Sequence, residues 1–258
     1  MKFFNDKKKK VSLGQSEHKT LHKHLNFTAT EQYKLLRTNI DFTLPQDEKC
    51  HVIGVTSSMR GEGKSTTAIN LSYVLAEKGS KVLLIDGDLR IPSVAKKLRI
   101  HSTPGLTTLL MNKSTDVSAF KSSLLDSWYI MPSGEIPPNP SELLGSRRME
   151  KLLVALREQF DYIIIDLPPV NIVSDALSIS KFISGMVVVI REEYTEKKEL
   201  THCMRQLSLS NVHVLGCVLN EAKANGGSYG KYKKYKYYRY YYKTSKDSDD
   251  NSSKEKTE

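Results

Sequence analysis

Gly61-Glu62-Gly63-Lys64-Ser65-Thr66 is the segment whose residue types and spacing point most directly to chemistry. Two glycines bring backbone N–H groups close to an anion, and a lysine follows at once. A hydroxyl pair then opens a helical pattern that runs to Lys78 and is closed by Gly79. Such a loop cradles phosphate. The amides and the helix N-terminus favour negative charge, Lys64 reaches the β- and γ-oxygens, and the Ser65 hydroxyl can ligand Mg2+. The usual pattern begins with glycine four residues before Gly63's own predecessor, at position 58, and here that residue is Ser58. The loop is therefore a variant form, with a nucleotide expected against Ser58, Gly61, Glu62, Gly63, Lys64, Ser65 and Thr66. A glycine-rich turn ahead of a helix is the bland alternative. The Lys-Ser-Thr run and the apolar Val52–Val55 stretch before the loop weigh against it.

Two further runs end in carboxylates. Val82-Leu83-Leu84-Ile85-Asp86-Gly87-Asp88 places two aspartates just beyond an apolar strand, and Tyr162-Ile163-Ile164-Ile165-Asp166 ends a second one before Leu167-Pro168-Pro169. Open α/β sheets bind ligands at the carboxyl ends of their strands. Mg2+ takes one or two carboxylates and completes its shell with phosphate and water, so aspartates at these strand ends, with the Ser65 hydroxyl, suit a metal held against a nucleotide. One such aspartate alone is more often a cap than a ligand. Three beside a phosphate loop point to a Mg-nucleotide site.

These residues need a scaffold that brings strand ends together. Short β-branched runs at 51–56, 81–86, 128–131, 161–166, 185–190 and 212–219 alternate with helical patterns at about 65–78, 147–159, 174–183 and 196–208. The runs at 162–165 and 186–190 do not alternate polar with apolar, as expected of strands buried on both faces. The pattern predicts an α/β fold with a doubly wound, mostly parallel sheet, in one domain over 28–222. An additional helix is expected from about Thr30 to before Pro45, with Tyr33, Leu36 and Ile40 on one side.

Charge narrows the function. Of 39 Lys+Arg and 29 Asp+Glu, residues 1–24 hold seven and two and residues 223–258 hold ten and five, so each end carries +5 and the body between them is neutral. A basic mobile arm (1–27) and a disordered tail (223–258) are expected, and the body is not a nucleic-acid groove. Three widely spaced cysteines fit neither a disulfide framework nor a zinc site, and suit a reducing cytosol. No apolar run approaches the roughly 20 residues of a membrane helix, and no secretory leader is evident.

The variant loop ending GEGKST, the motifs LLIDGDLR and IIIDLPPV, and a tyrosine-rich end resemble the bacterial tyrosine kinases of capsule and exopolysaccharide synthesis, in their separate-chain form. The resemblance implies an ATP- and Mg2+-dependent tyrosine autokinase that acts in trans within an oligomeric ring. It implies a cytoplasmic location at the inner face of the membrane, through the cytoplasmic segment of a transmembrane polysaccharide co-polymerase that activates it. Roles carry over to Lys64 and Ser65 on phosphate and Mg2+, to Asp86 and Asp88 on metal and phenol activation, and to Asp166 on the metal. Either Asp86 or Asp88 is the base, a carboxylate that takes the proton of a phenol whose pKa is near 10. Two departures stand out. The oligomerisation pattern Glu-x2-Arg-x2-Arg is Glu31-x2-Lys34-x2-Arg37 here, which loses one bidentate fork. The residue after the third-motif aspartate is often threonine and is Leu167 here, which removes a hydroxyl expected near the metal.

Tyr229, Tyr232, Tyr235, Tyr237, Tyr238, Tyr240, Tyr241 and Tyr242 are the expected phosphorylation sites. Base stacking and membrane binding are the other readings of a Lys/Tyr tail. Each phosphate adds about −1.5 to −2, so full modification would carry this +5 tail to about −7 to −11. About fifteen extended residues span at most about 50 Å, enough to enter a neighbour's site. The alternative function is a ParA/MinD-type positioning ATPase with a basic binding tail. That group carries a second lysine where this chain has Met59. Asn220 stands where related ATPases read the adenine amino group, with a turn-forming asparagine as the equal alternative.

Overall fold

Six aliphatic runs form one parallel sheet: β1 (His51–Ser57), β2 (Val82–Asp86), β3 (Trp128–Met131), β4 (Tyr162–Asp166), β5 (Gly185–Arg191) and β6 (Val214–Asn220). The strand order is β3-β2-β4-β1-β5-β6. The computed structural model describes residues 25–45, 47–112 and 116–222. The expected arm, up to residue 24, and the tail from residue 223 lie outside the described residues.

The sheet carries helices on both faces, which explains the unbroken apolar runs. Alternate residues of one strand enter opposite cores. Ile163 and Ile165 join one cluster while Ile164 joins the other, and Leu83 and Ile85 part from Val82 and Leu84 in the same way. The second cluster lies under α1 (Phe27–Thr43) and α2 (Lys64–Glu77), with Ile40, Leu44, Leu71 and Val74 buried. The helix α2 is buried along nearly its whole length. Its Ser72 Oγ accepts the Trp128 indole N–H at 3.1 Å, so a large apolar ring is buried with its one donor satisfied. The first cluster lies under α4 (Leu106–Asn112), α6 (Arg147–Arg157) and α8 (Lys197–Leu209), where Met149, Leu152, Leu153 and Leu156 repeat at helical spacing.

The elements depart from the sequence expectation in definable ways. Helix α1 begins at Phe27 rather than near Thr30, because the Asn26 side chain accepts the Ala29 N–H at 2.9 Å and caps it earlier. The 174–183 pattern divides into α7 (Asp175–Ile179) and a 3-10 turn over Ser180–Phe182. Strand β6 begins at Val214, two residues later than expected. Three short helices had no sequence expectation: α3 (Val94–Leu98), α4, and α5 (Pro140–Leu144).

Candidate nucleotide and phosphoryl-transfer site

Parallel pairing puts the ends of β1, β2 and β4 side by side. Asp86 on β2 lies directly opposite Asp166 on β4, and Val55 of β1 also faces Asp166. Only close backbones allow this. The Gly87 N–H donates to the Asp166 carbonyl at 2.8 Å, and a Cβ at Gly87 would fall 2.9 Å from that oxygen. The 58–63 loop then leaves β1 and delivers α2 to the same edge.

Lys64 ties the site together. Its Nζ donates to Asp88 Oδ2 at 2.9 Å and lies 3.4 Å from both Asp166 Oδ1 and Ser65 Oγ. The Ser65 side chain also hydrogen-bonds Asp166. Burial works against the ammonium, but Asp166 and Asp88 outweigh it and hold the Lys64 pKa above its ordinary value. Asp86, wholly buried, accepts backbone N–H groups from Ser93 at 3.0 Å and Val94 at 2.9 Å, and from Asp88 at 3.3 Å. Burial, with Asp166 opposite, pushes its pKa up to about 7. Burial also raises Asp166, against the pull of Lys64.

Three buried carboxylates surrounding one ammonium leave the site short of positive charge, and Asp166 Oδ2 is buried with no hydrogen-bond partner. Both observations fit a Mg2+ ion that Ser65 and Asp166 would hold. Asp88 is less free for it, since its Oδ2 takes Lys64 and its Oδ1 takes the Ile91 N–H at 3.0 Å. Among the described residues no three His, Cys, Asp or Glu side chains form a ready metal cage. Mg2+ commonly draws the rest of its shell from phosphate and water.

Other sequence candidates lie apart from the acidic cluster. Glu62 is buried with its carboxylate turned into the loop, where it accepts Ser58 Oγ at 2.7 Å, the Met59 N–H at 2.9 Å and Thr195 Oγ1 at 2.5 Å. The Thr66 hydroxyl accepts Lys97 Nζ at 3.1 Å. Asn220 Nδ2 donates to the Glu62 carbonyl at 3.0 Å, which fixes the amide and leaves its oxygen as an acceptor beside the loop. In α1, Lys34 pairs with Glu31 at 2.9 Å, and Arg37 Nη1 donates to the Val74 carbonyl of α2 at 2.8 Å. Leu167 turns into the core, where its methyls lie 2.9 and 3.2 Å from the positions Cβ atoms would take at Gly54 and Gly87. A larger apolar side chain here fills the space two glycines leave.

Residues with no sequence expectation also shape the site. Arg90 forms a fork on the buried Asp175 of α7, Nε to Oδ2 at 2.9 Å and Nη2 to Oδ1 at 3.0 Å. Arg191 at the end of β5, and Tyr194 and Thr195 between β5 and α8, all contact the phosphate loop. Arg90 lies within the LLIDGDLR motif, but nothing in sequence marked it or named its partner.

Residues 50–214 match the family model described as an AAA domain. Tyrosine-protein kinase YwqD of Bacillus subtilis (strain 168) is 40% identical over 194 residues, covering 75% of this chain and 81% of that protein. The chain belongs to the bacterial tyrosine-protein kinases. Tyrosine-protein kinase CpsD of Streptococcus pneumoniae serotype 4 is 35% identical over 203 residues, 78% of this chain and 88% of that one. Among solved structures, the chimerical protein CapA2B2 superposes with a TM-score of 0.74 at 34% identity, over 83% of this chain and 94% of that chain. The kinase domain of Escherichia coli tyrosine kinase ETK follows at 0.70 and 26%, over 85% and 93%. The cell division ATPase MinD of Pyrococcus furiosus is more distant, at 0.55 and 26% over 70% and 73%. The kinase reading thus stands ahead of the positioning-ATPase alternative. No helix among the described residues is long and apolar enough to cross a membrane.

Proposed function

We propose that the chain transfers the γ-phosphoryl group of ATP to tyrosines of its own C-terminal cluster, Tyr229 to Tyr242, in a neighbouring copy. The observation that carries this is the meeting of Asp86, Asp88 and Asp166 at Lys64, on the sheet edge where the phosphate loop opens a helix.

The phenol oxygen attacks the γ-phosphorus while the bond to the β,γ-bridging oxygen breaks and ADP leaves. Lys64 neutralises charge on the transferred group, and the loop amides bind the phosphates. The phenolic proton passes to Asp88, whose Oδ2 is held only by the lysine for which the incoming phosphate competes. Both Asp86 oxygens are committed to backbone N–H groups, so Asp86 shapes the loop that presents Asp88. Mg2+, held by Ser65 and Asp166, would neutralise phosphate charge. The Asn220 side-chain oxygen would accept a hydrogen bond from the adenine amino group.

Glu31, Lys34 and Arg37 form the polar surface of α1 through which copies would assemble. The activating partner would be the cytoplasmic segment of a transmembrane polysaccharide co-polymerase, which would hold the kinase at the inner membrane face. The relatives' kinase names and the match to the chimerical protein CapA2B2 support this reading.

The test is incubation of the purified chain with Mg-ATP, with and without such a segment, followed by phosphosite mapping beside Lys64→Met. Phosphate on Tyr229–Tyr242 that Lys64→Met reduces by about 100-fold or more is expected. ATP hydrolysis with an unmodified tail under both conditions would instead favour the positioning-ATPase reading.

A further inference from the structure

Three successive carbonyls of the phosphate loop are each held by a different side chain from outside the loop. The Tyr194 hydroxyl donates to the Arg60 carbonyl at 3.0 Å, Arg191 Nη1 to the Gly61 carbonyl at 3.2 Å, and Asn220 Nδ2 to the Glu62 carbonyl at 3.0 Å. The three donors come from the end of β5, the β5–α8 connection and the end of β6, more than 100 residues away in sequence. They also brace one another. The Arg191 guanidinium lies over the Tyr194 ring at 5.1 Å, and its Nη2 pairs with Glu221 at 2.6 Å.

A trans peptide unit points its C=O and the next residue's N–H in opposite directions. Holding the carbonyls of residues 60, 61 and 62 outward therefore turns the N–H groups of Gly61, Glu62 and Gly63 inward. Gly61 at φ +81° and Gly63 at φ +97° alternate with Glu62, the backbone pattern of an anion-binding concavity. The glycines are needed on the outer side as well. A Cβ at Gly63 would lie 2.1 Å from Asn220 Nδ2, and one at Gly61 would lie 3.3 Å from the Tyr194 hydroxyl.

We propose that Arg191 and Tyr194, together with Asn220, are positioning residues that preset the loop amides for polyphosphate before any nucleotide arrives. Arg191 and Tyr194 act through the backbone and do not touch the substrate, while Asn220 gives this support through its Nδ2 and keeps its oxygen for the base. The proposal rests on the nucleotide-binding part of the function above and is independent of where the phosphoryl group goes.

The test uses the full chain with Tyr194→Phe, which removes one hydroxyl, and Arg191→Lys, which keeps charge and removes the fork. Binding of fluorescently labelled ADP is measured directly, and unlabelled tripolyphosphate is used as a competitor that has no base or ribose. Each variant should weaken both ligands by the same factor, about three- to tenfold, and should remain folded at the assay temperature. Amide exchange at residues 61–63 of the nucleotide-free protein should speed up in both variants. A loss seen for ADP but not for tripolyphosphate would mean that these side chains read the nucleoside, and would overturn the proposal. Unchanged affinity and exchange in Tyr194→Phe would overturn it too. A wild-type protein that binds ADP but leaves its tyrosines unmodified would sink the kinase reading and leave this one standing.

Discussion

The loops after β1 and β2 meet at the same lysine and are held in opposite ways. The 86–94 loop is tied from within: Asp86 binds the amides of residues two, seven and eight positions on, and Asp88 binds that of Ile91. Besides the Gly87 N–H on the Asp166 carbonyl and Lys64 on Asp88, it reaches outward through the fork from Arg90 to Asp175. The 58–63 loop binds its own Ser58 and Met59 to Glu62, but its carbonyls are held by Arg191, Tyr194 and Asn220, 130 to 158 residues away. The difference follows from what each must present. A loop whose working groups are carboxylates can spend part of them on its own backbone. A loop whose working groups are backbone amides must keep its concave side open, so its support comes from behind.

The inward-tied loop makes its stability depend on pH. Asp86 has its pKa raised to about 7 in the fold, against about 3.9 for an unperturbed aspartate. Between these values the folded protein holds a proton that the unfolded chain has lost. Stability of nucleotide-free, EDTA-treated protein should therefore fall as pH rises from about 4 to about 7, and this contribution should level off above that. The loss is on the order of a few kcal/mol at most. Denaturant midpoints at pH 5, 6, 7 and 8 measure it, and Asp86→Asn should flatten the profile across that window. An unchanged slope in Asp86→Asn would mean that the loop's carboxylates are not what titrates.

The outward fork of that loop is the next place to break the comparison. Asp175 is wholly buried, and Arg90 is its bidentate partner. Arg90→Ala leaves the carboxylate without that partner inside the protein, which costs about 2 kcal/mol after allowing for the partial exposure of Arg90. Urea unfolding should show the loss, and Arg90→Ala with Asp175→Ala should recover part of it. Full recovery of stability together with normal phosphoryl transfer would show that the self-tied loop needs no external partner.

The same contrast explains what could be read from the chain alone. Lys64, Ser65, Asp86, Asp88 and Asp166 were legible because each sits at a fixed place in a short local pattern, next to a strand whose apolar run is unmistakable. The doubly wound sheet was legible for the same reason, since strands buried on both faces leave unbroken runs such as Tyr162–Ile165. Arg191, Tyr194 and Thr195 were not legible. They work through carbonyls that any residue possesses, across a separation that leaves no spacing to recognise. The short helices α3, α4 and α5 escaped because five to seven residues hold too few turns to show a period. Leu167 is a different case. The sequence shows that a hydroxyl is missing after Asp166, and only the fold shows that the side chain fills the space beside Gly54 and Gly87.

The smallest effect tests whether the outer support extends to the buried carboxylate of the phosphate loop. Thr195 Oγ1 accepts the Arg191 N–H at 2.8 Å and donates to Glu62 Oε1, so one hydroxyl joins the β5–α8 connection to the loop's interior. Thr195→Val keeps the shape and removes both bonds. Glu62 retains Ser58 and Met59, so its charge stays partly satisfied and the expected cost is about 1 kcal/mol, the worth of an ordinary hydrogen bond. If the carboxylate and the three outer donors act as one support, combining Thr195→Val with Tyr194→Phe should cost a different amount from the sum of the single changes, because residues sharing a network couple. A double-mutant cycle in denaturant reads that difference. Strict additivity would mean that Glu62 is held for the loop's own stability and that the orientation of the amides depends on the outer donors alone.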